Sequence, residues 1–385
     1  MPKDFLFTSE SVNEGHPDKV CDQVADALLD SLIAQDPGSR VAVECMISTG
    51  SVHVAGEVTT KGYADVQKIV RGILQEVGYS NPEFGIDWQD AGVWVSLHEQ
   101  SSEIARGVVG EGGRPPGAGD QGIMVGYACD ETPELMPLPI MLAHRLCMRM
   151  SEVRRARLIP DLGPDGKSQV TVEYRDGRPA RVASVVIAQQ HGKSLVESRL
   201  RREMIEAVIR PVCGALYDDG TRTFINAAGT FTVGGPEADT GVTGRKTVSD
   251  TYGGMARSGG GAISGKDPTK VDRSGAYAAR WAAKNVVAAG LARRCEIQLS
   301  YVIGEPSPTS IFIDTFGTGR REEPEIEALV RRRFPLMPAA IIAELDLNRP
   351  IYRNTAVFGH FGRERPEFTW ERTDRAAALK TEAGL

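Results

Sequence analysis

Apolar residues recur at helical spacing between Asp18 and about Gln35, where Val20, Val24, Leu28 and Leu32 share one face. The runs "RVAVECMIS" and "SVHVAGEVTT" then alternate apolar and polar side chains, which predicts two strands turning at Thr49-Gly50. "YADVQKIVRGILQEVG" returns to helical spacing and stops at Gly78, and "AGVWVSLHEQ" reads as a strand. A helix is predicted from roughly Pro139 to Arg157. "QVTVEYRDGRPARVASVVIAQQ" is the clearest hairpin, turning at Asp176-Gly177. "SLVESRLRREMIEAVIRPVC" is helical as far as Pro211, and "TFINAAGTFTVGG" is strand-like. Residues 235–272 are rich in Gly, Thr and Ser and predict loop. A helix from about Arg273 to Ala289, the strands "RCEIQLSYVIG" and "SIFIDTF", and two helices between about 323 and 346 complete the pattern.

Runs of strands with helices, without strict β-α-β alternation, favour an α+β fold over a doubly wound parallel sheet. No exact repeat is present, but helix plus hairpin recurs about every 110–130 residues. The segment "SSEIARGVVGEGGRPPGAGDQG" (101–122) carries seven glycines and two prolines. It reads as a linker or as a lid over a site.

The chain has 385 residues, enough for two or three domains, with 41% hydrophobic and 25% charged residues. A net charge of −6 argues against a general nucleic-acid binder, so any anionic ligand needs local positive charge. The six cysteines form no C-x-x-C pair and no zinc-type cluster, which suits reduced thiols. "MPKDFLFTSE" lacks the pattern of a signal peptide, and no stretch approaches a membrane span. These features lead us to expect a cytoplasmic protein without membrane partners.

Local positive charge appears at 245–273. Arg245, Lys246, Arg257, Lys266, Lys270 and Arg273 face only Asp250, Asp267 and Asp272, among glycines that permit close backbone approach. Separated cations, free N–H groups and magnesium carboxylates are what a polyphosphate needs, although a solvated basic loop has the same composition. "GGGAISGKDPTK" (259–270) falls one residue short of the phosphate loop G-x-x-x-x-G-K-[ST], with Asp267 in place of the hydroxyl. The preceding "SDTYGGMARSG" is not the strand such a loop requires. Asp267 precedes Pro268 and suits a local turn or cap.

In "EGHPDKVCDQ" (14–23), Pro17 suits the first turn of a helix and places His16 at its N-cap. There the helix dipole attracts anions and favours a neutral imidazole. Asp18 adds a carboxylate and Lys19 a cation, although a capped helix with surface charges explains the same letters. Glu44 and Glu57 sit in strand-like runs, where a buried carboxylate needs a partner. "PDGK" (164–167) is by itself an ordinary turn, and Phe231 is either a core residue or a stacking platform.

These pieces resemble one family in the same order along nearly the whole chain. "FTSESVNEGHPDK", "GAGDQGIMVGYA", "MPLPIMLAHRL", "INAAGTFTVGGPEADTGVTGRK", "DTYGGMARSGGGAISGKDPTKVDRSGAYAAR" and "VFGHFGRERPEFTWERTD" are similar to segments of S-adenosylmethionine synthetase. The resemblance implies three similar α+β domains with approximate threefold pseudo-symmetry, their mixed or antiparallel sheets covered by helices. In sequence they would occupy residues 1–101, 115–233 and 234–385. It also implies that methionine sulfur attacks C5′ of ATP and releases tripolyphosphate, which is then hydrolysed to diphosphate and phosphate. The partners implied are ATP, L-methionine and a second subunit, with active sites at a homodimer interface and dimers pairing into a homotetramer.

By the same resemblance, His16, Lys167, Arg245 and Lys266 are catalytic, and His16 contacts the oxygen that leaves C5′. Asp165, Phe231, Asp239, Lys246 and Ala262 join them in binding ATP, with Phe231 stacking on adenine. Glu57, Gln100, Asp120, Asp239 and Lys270 match methionine contacts. Asp18 and Asp272 match Mg²⁺ ligands, with two ions expected per site, and Glu44 matches the ligand of one K⁺. The stretch 100–120 corresponds to the family's gate. Thr230 departs from the commoner Arg beside the stacking Phe, and Thr240 stands where some members have Cys.

A P-loop kinase or ATPase is the alternative enzyme, and it conflicts with Asp267 and the missing strand. A non-catalytic nucleotide-binding subunit is the second alternative. It would not need His16, Asp18, Asp272 and the lysines all together.

Overall fold

The computed structural model describes residues 3–101 and 116–385. Most of the expected lid, residues 102–115, lies outside them. The described strands form three sheets. The first has the order β1 (Phe5–Val12), β6 (Leu162–Arg175), β7 (Arg178–His191), β8 (Arg222–Ile225). The second runs β4 (Gly92–His98), β3 (Ser51–Thr59), β2 (Arg40–Ser48), β9 (Gly241–Val242). The third runs β11 (Ser310–Asp314), β10 (Arg294–Tyr301), β5 (Gly122–Cys129).

One long helix covers each sheet. These are α1 (Pro17–Ile33) on β2, α3 (Leu138–Arg155) on β1 and β6, and α5 (Val271–Ala288) on β5 and β10. Strands pair antiparallel except β3 with β4 and β7 with β8. Those parallel pairs are the ones bridged by a helix, α2 (Val66–Val77) in the first case and α4 (Glu197–Met204) in the second. The three domains are therefore α+β, two of them with mixed sheets and the third with an antiparallel one.

The alternation read from sequence decides which face is buried. Val41, Val43, Cys45 and Ile47 of β2 point into the core that holds Val20, Val24 and Leu28 of α1. Glu44 and Met46 point away from it. Strand pairing crosses the sequence segments. β1 joins β6, β5 joins β10, and β9 joins β2 at Met46–Val242 and Ile47–Gly241.

Three local expectations are corrected. "TFINAAGTFTVGG" is a strand only as far as Ile225, because Asn226 takes φ 45° and leaves extended backbone. Its amide then replaces the ladder, accepting from Gln189 N at 2.8 Å and donating to Gln189 O at 3.0 Å. "PDGK" is not a turn. It lies within β6, where the register shifts between Leu162 and Gly166. Gln189 Nε2 holds the carbonyls of Gly163 (2.8 Å) and Asp165 (3.1 Å) across that irregularity. Finally, the helix begun by α4 continues through a π-turn at Ile205–Ile209 before Arg210–Cys213. Pro211 has no N–H for the Ala207 carbonyl four residues back, and Arg149 Nε takes that carbonyl at 2.9 Å.

Candidate active site

The turn before α1 is pinned from four sides. Asn13 N donates to Gly166 O of β6 at 2.8 Å, and Tyr79 Oη donates to Gly15 O at 2.5 Å. Glu14 accepts from Arg154 at 2.5 Å and Arg155 at 2.6 Å. Gln23 Nε2 donates to Glu14 O at 2.7 Å. His16 is the N-cap of α1, and its Nδ1 accepts from Asp18 N at 3.2 Å. That contact leaves the proton on Nε2 of the neutral ring. Burial, then the nearby Lys246 and Lys167 charges, bring its pKa down to about 3.

Four aspartates follow at four-residue intervals along α1, and each accepts from the backbone of a distant segment. Asp18 Oδ1 takes Val242 N (2.9 Å) and Asp22 Oδ1 takes Gly244 N (2.9 Å). Asp26 Oδ1 takes Gly265 N (2.8 Å), and Asp30 takes Tyr352 N (2.9 Å) and Arg353 N (2.8 Å). The first three also pair with Lys246 (2.5 Å), Lys19 (2.9 Å) and Arg273 (2.5 Å) respectively. Burial opposes the charged form of Asp18, but the Lys246 and Val242 contacts outweigh it and hold its pKa below the ordinary value. Lys19 is not the free cation expected of it. It is fully buried between Asp22 and Asp250, which keep its pKa raised against the cost of burial.

Contacts link most of the expected residues into two groups. Asp165 is buried, its Oδ2 accepting from Gly235 N at 2.9 Å while Oδ1 has no partner. Burial brings its pKa up to about 6. Lys167 is exposed on β6 opposite Val12. Phe231 is half-buried; its N donates to His191 Nε2 at 3.2 Å and its O accepts from His191 N at 2.9 Å. Asp239 is exposed, its N bonded to Gly235 O at 3.1 Å. Arg245 is half-exposed and lies 3.7 Å from Asp18. This group meets a second one where Gly244 faces Ala262: a Cβ on Gly244 would stand 2.3 Å from that of Ala262. One on Gly261 would stand 2.0 Å from Asp272 Oδ1.

In the second group Lys266 pairs with Asp272 at 2.6 Å and Lys270 with Asp267 at 2.5 Å. Asp120 joins it through Gly119 N, which donates to Thr269 O at 3.1 Å. Asp267 is fully buried and tied to Val41 N (2.7 Å) and Thr269 N (2.9 Å), so it fastens this loop to β2. No strand leads into Gly260, and the helix starts at Val271, not after Gly265. The phosphate-loop geometry is therefore absent from this stretch.

Glu44 and Glu57 are not buried carboxylates. They point out of the β4-β3-β2-β9 sheet, Glu44 exposed and Glu57 3.9 Å from His98. Pairing places Lys266, Ala42, Glu57 and His98 in one row across that sheet. Gln100 follows, its N donating to Thr59 Oγ1 at 3.2 Å and its Oε1 buried without a partner. Asp22 and Asp26 went unnoticed in the sequence, although the four-residue spacing of aspartates in "DKVCDQVADALLD" was there to be read.

Three family profiles match consecutive parts of the chain. They describe the N-terminal domain of S-adenosylmethionine synthetase at residues 4–102, its central domain at 115–231 and its C-terminal domain at 233–372.

Two outcomes are expected. The His16 ring should stay neutral from about pH 8 to about pH 5, so NMR titration should find its shifts flat. A midpoint near 6.5 would contradict the depressed pKa of this ring. With His144, whose pKa burial also lowers to about 3, His16 stabilises the fold fully above 6.5 and loses that contribution as pH falls toward 3. Asp267→Ser completes the phosphate-loop consensus, yet it should lower stability by about 3 kcal/mol in urea unfolding, because Lys270 loses its buried partner. A gain of phosphotransfer to ADP would reverse our account of this loop.

Proposed function

The chain belongs to the S-adenosylmethionine synthetase family, and on that premise we propose how its residues join ATP to methionine. The enzyme is a methionine adenosyltransferase. In the proposed step a methionine sulfur lone pair attacks C5′, the C5′–O bond breaks, and its electrons leave on the triphosphate oxygen. The product is a sulfonium, and the released tripolyphosphate is then hydrolysed to diphosphate and phosphate.

Sulfur needs no general base, so the barrier lies in the leaving group. Catalysis is then positioning plus charge stabilisation. The observation that carries this proposal is the neutral His16 at the N-terminus of α1, with Nδ1 occupied by Asp18 N. Its Nε2–H is free to donate to the departing oxygen. Lys167, Arg245, Lys246 and Lys266 line the adjoining surface and would neutralise phosphate oxygens. Asp165 Oδ1, buried and unpartnered, suits a hydroxyl of the nucleoside, beside Phe231 as the stacking surface and Ala262 as a close contact. Glu57, Gln100, Asp120, Asp239 and Lys270 would hold the methionine head group.

Asp18 and Asp272 fit magnesium as the family uses it. Among the described residues no three His, Cys, Asp or Glu converge, so phosphate oxygens and water would complete the coordination. Each carboxylate now rests on a lysine, Lys246 or Lys266, that a phosphate could draw away. Bound Mg²⁺, two per site, would supply charge neutralisation on the tripolyphosphate. Glu44, exposed on β2, is proposed for K⁺.

A homodimer is proposed from the faces opposite the helices. Leu6 and Phe224 on the first sheet, Met46 and Trp94 on the second, and Ile123 and Phe312 on the third are all at least 40% exposed. No helix among the described residues is long and apolar enough to cross a membrane.

Incubation with ATP, methionine, Mg²⁺ and K⁺ should yield the sulfonium. Methionine-independent cleavage to ADP, or ATP binding without turnover, would overturn the proposal. His16→Ala should cut kcat by about 10²–10³ while leaving the Kd for ATP nearly unchanged. Equal losses in the two would remove His16 from the leaving-group role.

A further inference from the structure

A cavity of about 550 Å³ opens between α1, α3 and the C-terminal segment 353–365. Its acidic lining is already spent. Glu14 pairs with Arg154 and Arg155, Glu76 with Arg353 at 2.6 Å, and Glu152 with Arg149 at 3.0 Å. Of the four arginines on its wall, Arg155 and Arg353 are spent on those carboxylates, which leaves Arg363 and Arg365. Arg363 pairs with no carboxylate among the described residues, donating Nη2 to the carbonyls of Asn354 and Gly359 at 2.7 Å while Nε has no partner. Arg365 reaches only Glu367, at 3.5 Å. Both guanidinium groups lie over the Phe368 ring, at 4.9 and 5.9 Å, which compensates part of their charge. Burial, then Arg365, depress the Arg363 pKa to about 10. Half-buried, with Glu371 and Glu367 near but no carboxylate in direct contact, the Arg363 guanidinium is only partly compensated, and an anion would offset the remaining cost.

Two further features point the same way. Ser151 lines the cavity, is 6% exposed, and its hydroxyl has no partner. Phe358, also on the wall, holds φ 60°, a strained conformation for a bulky side chain that persists where the surroundings impose it. With Met148 and Val357 it makes an apolar flank beside the basic end.

From this arrangement we infer that the cavity is a second ligand site, distinct from the adenosyl-transfer site, for a phosphomonoester of mononucleotide size. The phosphate sits against Arg363 and Arg365, and the organic body lies along Phe358 and Met148. The volume falls within the range of small-molecule pockets and far exceeds a bare phosphate. Glu14 lines the same cavity two residues from His16, so occupancy touches the residue that pins the His16 turn.

The test uses the full chain carrying Lys246→Ala and Lys266→Ala, which weakens phosphate binding at the adenosyl-transfer site. AMP and inorganic phosphate are titrated separately by calorimetry. AMP should still bind, and more tightly than inorganic phosphate. Adding Arg365→Glu should weaken AMP at least about tenfold, the worth of one charge-assisted contact. Arg365→Gln repeats the measurement should the charge reversal unfold the chain. Loss of all AMP binding in the lysine variant, or unchanged affinity without Arg365, would overturn the site. Equal affinity for phosphate and AMP would overturn the phosphomonoester.

Discussion

The row of aspartates on α1 is the constraint on which the other parts depend. Four carboxylates spaced four residues apart on one helix face repel by a few tenths of a kcal/mol per pair even in water. Here three of them are fully buried, where repulsion and desolvation both rise. What offsets this is that each carboxylate accepts from a distant backbone N–H, at 2.8–2.9 Å. A hydrogen bond to a charged group contributes about 1.5–3 kcal/mol, well above the pairwise repulsion. Lys246, Lys19 and Arg273 complete the balance. The helix thus acts as a rail to which the loops at 242–244 and 265 and the segment at 352–353 are fastened.

That rail explains why the candidate site survives in a segment with so little secondary structure. Residues 235–270 are mainly turns, yet their backbone is held at Val242, Gly244 and Gly265 by α1 and at Asp267 by β2. Arg245, Lys246, Ala262 and Lys266 lie between these fixed points, so their positions do not rely on local propensity. The strand crossing between sheets works in the same direction. β9, only two residues long, docks the loop onto β2 beside Asp18.

Much of this was legible in the chain. The 3.6- and 2-residue periods located α1, α2, α3, the β2–β3 hairpin and the β6–β7 hairpin, because burial on one face dictates those periods. His16 as N-cap was legible because Pro17 restricts where a helix begins. The failures also have physical causes. "PDGK" has the composition of a turn, but Gln189, distant in sequence, holds it extended. "TFINAAG" has strand propensity, but Asn226 ends the strand with a side-chain substitute for the ladder. Lys19 has the letters of a surface cation, and only folding places Asp250 against it.

By itself the sequence determined the α+β class, most of the elements though not β1 or β5, and the kinds of side chain available for phosphate and sulfur chemistry. These rest on local periodicity and on long motifs whose residues are close in the chain. The tertiary structure alone decided which charges are free and which are spent. Lys266, Lys270, Arg257 and Arg273 share one short stretch of chain, yet Arg273 is fully buried on Asp26 while Lys266 lies partly open on Asp272. Whether a charge is compensated depends on which distant carboxylate or amide reaches it, and on how much water remains around it. No spacing along the chain encodes either.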